Sequence, residues 1–180
     1  MKRTVLVFGI IAGIILSVVI VVSVPFMRNM TAESAATNMF VGYAVQLLTF
    51  SLIFFAVKQY RDKHNDGLIS FGKAFRIGLW ISLIGAAFYV ITWAIVYHTM
   101  IPDFMDIWGA SEIERATKNG ASAQEIADIR QQVADGKEMY SKWWGFIGFT
   151  LFEILPTGLL VSVISALILK KKRRKETSYA

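Results

Sequence analysis

Cysteine is absent from this chain of 180 residues, and histidine and proline are rare, with two and three residues respectively. Without cysteine the chain cannot form disulfides, thiolate nucleophiles or cysteine-based metal sites. The two histidines, His64 and His98, flank a long apolar stretch, so they cannot share a metal if that stretch crosses a membrane. The sequence also lacks a nucleophile elbow, a phosphate-binding glycine loop and a zinc-spaced His/Glu pair. We therefore expect no catalytic residues, no metal and no cofactor, and we expect that the protein is not an enzyme.

Charged residues are also scarce, at 18% of the chain, whereas 55% of the residues are hydrophobic. A polar surface cannot cover that much apolar material at this size unless lipid covers it instead. Four apolar stretches are each long enough to cross a hydrocarbon core of about 30 Å as a helix. They cover residues 4–24, 39–57, 77–97 and 145–169. The sequence therefore predicts an all-α, polytopic membrane protein with four transmembrane helices in a single integral membrane domain, residues 1–180.

Basic residues are distributed unevenly between the two sides of these stretches. Thirteen of the 19 lysines and arginines lie at the N-terminus, in the connection 58–76 and in the tail 170–180, and six lie on the other side. Lysine and arginine accumulate in the cytoplasmic segments of membrane proteins. We therefore expect a multi-pass protein of the cell inner membrane, with both termini in the cytoplasm and residues 98–142 outside.

The segments 58–76 and 170–180 place basic side chains beside the membrane, where each can contribute about 1 kcal/mol of attraction to anionic lipids. The run of six basic residues in the tail could in isolation indicate nucleic-acid binding. Directly after a membrane helix, it is more typical of a lipid-binding anchor. We expect the bilayer and its anionic lipids as partners, and no nucleic acid. The expected head-group contacts are Lys58, Arg61, Lys73, Arg76, Lys170, Lys171, Lys172, Arg173, Arg174 and Lys175.

The segment 98–142 contains two patterns that are typical of helix starts. Ser111 with Glu114, and Ser122 with Glu125, have the spacing of a capping box. These patterns predict two short external helices, which form either a cap lying on the bundle or a surface for a partner.

Glu153 is the only charged residue within the four apolar stretches. An ionised carboxylate costs roughly 3 kcal/mol there, so Glu153 should face protein or water. Counting helical rise from the outer ends places several polar residues at a similar depth. They form a candidate intramembrane polar site: Ser17, Gln46, Tyr89, Thr150, Glu153 and Thr157. Three interpretations stay open: an uncharged carboxyl group that ties helices together, a proton- or cation-linked site, and an end position facing lipid or a partner.

The connection between the second and third stretches is the most distinctive segment of the chain. It contains Tyr60-Arg61-Asp62, Gly67 and the run 69–75, and it is followed by Pro102-Asp103-Phe104 and by the run 156–160 in the last stretch. This pattern resembles the bacterial four-helix membrane family of unknown function DUF 4199. The resemblance implies an integral protein of the bacterial inner membrane. The family has no established activity, so the resemblance transfers no functional residues.

These observations favour an accessory or scaffold protein that acts through partner or lipid contacts. The partner would be a second copy of the chain or another membrane protein. The alternative is a small proton- or cation-coupled transporter or channel subunit that uses Glu153. Against the alternative, the chain has a single intramembrane charge and lacks obvious inverted repeats.

Because the chain has no cysteine, single introduced cysteines report its orientation without background. We predict that a membrane-impermeant thiol reagent applied to intact cells labels Ser122→Cys and leaves Ser178→Cys unlabelled, since the basic asymmetry places the tail inside. Both positions should react in broken cells, which controls for reactivity. Labelling of Ser178→Cys in intact cells would contradict the orientation.

Overall fold

The computed structural model describes residues 1–171, which contain α-helices and no β-strand. The helices are α1 (Lys2–Arg28), α2 (Ala32–Phe50), α3 (Leu52–His64), α4 (Phe71–Thr99), α5 (Phe104–Lys118), α6 (Ala123–Ser141) and α7 (Trp143–Leu169). Four spans are long and apolar enough to cross a membrane, because α2 and α3 together form one of them: Lys2–Arg28, Ala32–His64, Phe71–Thr99 and Trp143–Leu169. The prediction of an all-α, polytopic membrane protein is confirmed.

The second span differs most from its predicted range of 39–57. It begins at Ala32, because the Thr31 side chain accepts a hydrogen bond from the Ser34 backbone and Ser34 caps Thr31 in return. It also has an interruption at Ser51. There the Ser51 hydroxyl donates to the Leu48 carbonyl at 2.6 Å, and the backbone tightens to a bond from Phe54 N to Ser51 O. Hydropathy alone contains neither signal.

Small residues allow α4 and α7 to approach closely. A Cβ added at Gly78 of α4 would lie 2.5 Å from Oγ of Ser162 on α7. The same relation holds in reverse, because a Cβ at Gly158 of α7 would lie 2.6 Å from Oγ of Ser82 on α4. Both serines are fully buried, and their hydroxyl oxygens are 3.4 Å apart. The two helices therefore interlock through a pair of glycine–serine contacts.

The contact between α1 and α4 has the same physical basis. Gly9 of α1 receives the side chain of Ile84, and Gly13 receives the ring of Phe88. An added Cβ at either glycine would lie within 3.0 Å of the α4 side chain. Packing on both sides makes α4 the central helix of the bundle, since its most extensive contacts are with α1 and α7.

The segment between α3 and α4 is tied to the end of α7. The backbones of Ile69 and Lys171 exchange two hydrogen bonds, of 3.0 and 2.8 Å, and Ile69 is buried. Arg61 donates to the Leu169 carbonyl at 3.4 Å, which satisfies one of the free carbonyls at the end of α7. We call this side of the bundle, which also carries the start of α1, the terminal end.

The opposite side, the cap end, carries α5 and α6. The capping box predicted at Ser122 and Glu125 is present and begins α6. The box predicted at Ser111 is wrong, because Ser111 lies inside α5 and its hydroxyl donates to the Trp108 carbonyl at 2.8 Å. An ion pair of 2.5 Å between Lys137 and Asp106 links the two helices.

One part of the bundle is much less packed than the rest. No residue of the segment 33–45 of α2 is buried, and the side chain of Phe40 is 74% exposed. By contrast, α1 and α7 bury a residue in nearly every turn. A Cβ added at Gly42 would meet nothing within 4 Å. The first turn of α2 is held by α5, because Ala32 and Glu33 bond to Glu114 and Lys118. The apolar residues 39–45 that follow contain no buried residue, so they have an unpartnered surface within the described chain.

Candidate functional site

The Glu153 side chain joins three of the four membrane spans. Its Oε1 atom accepts a hydrogen bond from the Tyr89 hydroxyl of α4 at 2.7 Å and another from Nε2 of Gln46 on α2 at 3.2 Å. Hydrogen bonds between membrane helices are typically worth about 0.6 kcal/mol each, and up to about 2. Glu153 therefore contributes to holding α2 and α4 against α7.

The Gln46 amide extends these bonds into a longer chain. Its Oε1 accepts from the Thr157 hydroxyl at 3.2 Å while its Nε2 donates to Glu153. Reversing the amide would direct its oxygen at the accepting oxygen of the carboxyl group, so Glu153 favours the orientation seen, whereas the Thr157 hydroxyl can donate or accept. Gln46 and Thr157 are buried. The connected side chains, Tyr89, Glu153, Gln46 and Thr157, are called the polar chain below.

Glu153 lies at the surface of the bundle rather than in its interior. The residue is exposed, as are Phe149 and Leu160 along the same edge of α7, whereas Thr150 and Thr157 are buried one step around the helix. Only its Oε1 atom has hydrogen-bond partners among residues 1–171. The Oε1 atom of Glu153 thus faces protein, while another part of the side chain is exposed at the outer surface of the bundle.

Two of the six residues predicted for the site bond elsewhere. The Ser17 hydroxyl of α1 accepts from Thr92 of α4 at 2.8 Å. The Thr150 hydroxyl donates to the Phe146 carbonyl of its own helix, also at 2.8 Å. Counting helical rise placed Ser17 and Thr150 at the same depth as Glu153, but it does not give the direction in which a side chain points. Thr92 was not predicted, although it is a polar residue one turn beyond Tyr89 in the same stretch.

Aromatic rings fill the bundle between the polar chain and the cap. The Trp93 indole donates to the Tyr140 hydroxyl, and the Tyr140 ring lies 5.3 Å from that of Tyr97 and 4.9 Å from that of Phe146. Burial raises the pKa of Tyr140 to about 12, so its hydroxyl stays protonated at neutral pH. Sequence reasoning missed Tyr140 because it belongs to α6, outside every apolar stretch.

The basic residues of the terminal end fall into two groups. Arg61 is bonded to Asp62 at 2.6 Å, and Lys73 donates to Asn65 at 2.8 Å and lies over the Tyr60 ring. These two side chains are partly occupied by internal contacts. The other described head-group candidates are exposed: Lys58, Arg76, Lys170 and Lys171. The remaining candidates, Lys172, Arg173, Arg174 and Lys175, lie outside the described residues.

The fold and the polar chain define an integral membrane protein of the all-α, polytopic class. The chain belongs to the family described as "Protein of unknown function (DUF4199)", whose model matches residues 7–171. This match confirms the resemblance seen in the connection between α3 and α4. No curated protein and no solved structure matches the chain. No group of three His, Asp or Glu residues within the described chain could hold a metal ion.

The hydrogen bonds that Glu153 accepts in the polar chain lead to a prediction about stability. Glu153→Gln keeps a carbonyl oxygen that can accept from Tyr89 and Gln46, so we expect its unfolding free energy to stay within about 0.5 kcal/mol of the original. Glu153→Leu leaves both donors without an acceptor and should cost about 1–2 kcal/mol. Reversible unfolding in detergent micelles or bicelles measures both values. Phe152→Leu, at an exposed neighbouring position, is the control. Equal stabilities of the Gln and Leu variants would contradict a tie through Glu153.

Proposed function

We propose that the protein is a non-enzymatic accessory or scaffold protein of the inner membrane, which acts through contacts with a membrane partner and with lipids. The observation that carries the proposal is the segment 39–45 of α2, which belongs to the second apolar stretch and yet contains no buried residue. Helices in membranes associate through close packing at small residues. Gly42 leaves room for close packing of this kind, and no side chain within the described residues occupies that space.

Glu153 strengthens this assignment because of its position. It is bonded to Gln46, which is the first buried residue of α2 after the unpacked segment. A carboxyl group at a lipid-facing surface is costly, by roughly 3 kcal/mol if ionised. A partner helix that covers the segment and supplies a hydrogen-bond donor or a cation would remove that cost. The contact surface we propose therefore comprises residues 39–45 of α2 and the exposed edge of Glu153.

Lipid contacts form the second part of the proposal. The terminal end presents exposed basic side chains at Lys58, Arg76 and Lys170, at the ends of three different spans. Under the orientation expected from the basic residues, these side chains face the anionic inner leaflet, which attracts them. They would hold the bundle at a defined depth while the opposite half of α2 engages its partner.

Site-specific photocrosslinking tests the partner contact. A photoreactive amino acid replaces Phe40 in the unpacked segment, and in a control it replaces Ile91 of α4, which is 61% exposed and lies a similar distance from the cap end. In native membranes we expect one discrete protein adduct from position 40 and none from position 91. The adduct should weaken when Glu153→Leu is added.

The partner in that adduct is identified by mass spectrometry and by crosslinking from the partner back to α2. Adducts with lipid alone at both positions, or an equal protein adduct at position 91, would contradict the proposed contact surface. An adduct between two copies of this chain would identify the partner as a second copy.

A transporter or channel subunit is the second candidate, and it is favoured by one observation. The exposed Glu153 carboxyl group is bonded to the Tyr89 hydroxyl, so an ionisable group within the membrane borders the outside of the bundle. Such groups often belong to proton or ion pathways. This candidate predicts pH-dependent ion flux through the purified protein in liposomes.

In that flux assay Glu153→Gln should abolish the pH-dependent flux, because an amide group cannot release or take up a proton near neutral pH. Thr150→Val should retain the flux. Thr150 is a suitable control because its hydroxyl donates to the Phe146 carbonyl of its own helix and has no hydrogen bond to Glu153. The accessory proposal predicts that the unaltered protein gives no more flux than empty liposomes. Flux that Glu153→Gln removes would favour the transporter and overturn the accessory proposal.

A further inference from the structure

A shallow groove runs between α1 and α3 at the terminal end of the bundle. Its volume is about 370 Å³. One lining residue, Phe8, belongs to α1, and the others belong to α3: Phe55, Lys58, Gln59, Asp62 and Lys63. The groove is separate from the polar chain, which lies nearer the cap end. Neither the unpacked segment of α2 nor the resemblance of the chain to its family accounts for it.

The lining of the groove changes from apolar to charged along α3. Phe55 precedes Lys58 by one helical turn, or about 5 Å of rise, and it precedes Lys63 by about 12 Å. The two aromatic rings therefore lie deeper in the membrane, and the two ammonium groups lie closer to its surface. This is the order of the parts of a phospholipid, whose acyl chains are buried and whose phosphate lies at the interface.

The charged residues at the rim of the groove differ in whether they form ion pairs. The Asp62 carboxylate is held by the Arg61 guanidinium in two bonds, of 2.6 and 3.3 Å, so its negative charge is already balanced. Lys58 and Lys63 are exposed and form no ion pair with any acid of residues 1–171. Lysine binds phosphate as a point charge, and two lysines on one rim favour an anion.

We propose that this groove is a binding site for an acidic phospholipid, with the phosphate between Lys58 and Lys63 and an acyl chain against Phe8 and Phe55. Gln59 lies between the two lysines along α3, so its amide group can donate to the same phosphate. The proposal rests on the lipid contacts of the proposed function and assigns them a defined place. A soluble phosphate would leave the aromatic floor uncovered, and Phe55 is 57% exposed. A zwitterionic lipid would bring an ammonium group to a rim with no free acid.

Native mass spectrometry of the full-length protein, titrated with phosphatidylglycerol or phosphatidylethanolamine, tests the site. We expect one molecule of phosphatidylglycerol to bind at least tenfold more tightly than phosphatidylethanolamine. The double variant Lys58→Gln/Lys63→Gln should weaken phosphatidylglycerol binding by roughly 30-fold, the effect expected of two cations at a membrane surface. Helix content and elution volume confirm that each variant is folded.

Arg76→Gln/Lys170→Gln is the matched control, because it removes the same charge from the same end of the bundle outside the groove. It should weaken binding less than threefold. Phe55→Ala should weaken phosphatidylglycerol binding, and inorganic phosphate at millimolar concentration should not displace the lipid. Full displacement by phosphate would overturn the lipid assignment in favour of a soluble anion.

Two further outcomes separate this proposal from the broader one. Equal weakening by the groove variant and the control would overturn the groove site and leave a general lipid attraction intact. The absence of any preference for phosphatidylglycerol in the unaltered protein would overturn both the groove site and the lipid part of the proposed function. Neither result depends on the partner contact at α2, which crosslinking tests independently.

Discussion

The close approach of α4 to α7 is the contact on which the rest of the structure depends. Gly78 and Gly158 leave room for the serines of the opposite helix, and within a membrane this tight packing takes the place of a hydrophobic driving force. Tyr89 lies two turns beyond Ser82 on the same face of α4. The interlock therefore brings the Tyr89 hydroxyl within 2.7 Å of Glu153. A wider separation of the two helices would place the carboxyl group beyond reach of its donor.

The second span is packed in one half and unpacked in the other. Beyond the interruption at Ser51, α3 buries Ile53, Ala56 and Val57 in the core shared by the four spans. Before it, α2 has only Gln46, Thr49 and Phe50 buried between its first turn and its end. Gln46 stands at the border and bonds to Glu153. Between Gln46 and the first turn of α2, which α5 holds through Ala32 and Glu33, no residue is buried, and this is why we propose a partner contact there.

The two ends of the bundle have different chemistry, and this difference is consistent with two kinds of contact. At the terminal end, the backbone bonds between Ile69 and Lys171 draw the α3–α4 connection over the end of α7. Arg61 is used in that arrangement and balances Asp62, which leaves Lys58 and Lys63 exposed beside the groove. At the cap end, the rings of Trp93, Tyr97 and Tyr140 join the bundle to α6. The lipid and protein contacts that we propose therefore lie on different surfaces of the bundle.

Local patterns in the sequence determined the four spans, the start of α6 at Ser122 and the single intramembrane acid, because hydropathy and capping depend on residues close together in the chain. Counting helical rise along the spans also predicted that Gln46, Tyr89 and Thr157 lie at the same depth as Glu153. Tertiary structure alone decided which of them bond, since the partners lie 64 and 107 positions from Glu153 and helix rotation sets their direction. It also decided that Ser17 pairs with Thr92, that α2 is unpacked before Gln46, and that Phe8 meets α3 to form a groove. Such features depend on the packing of distant side chains, for which the sequence has no local signal.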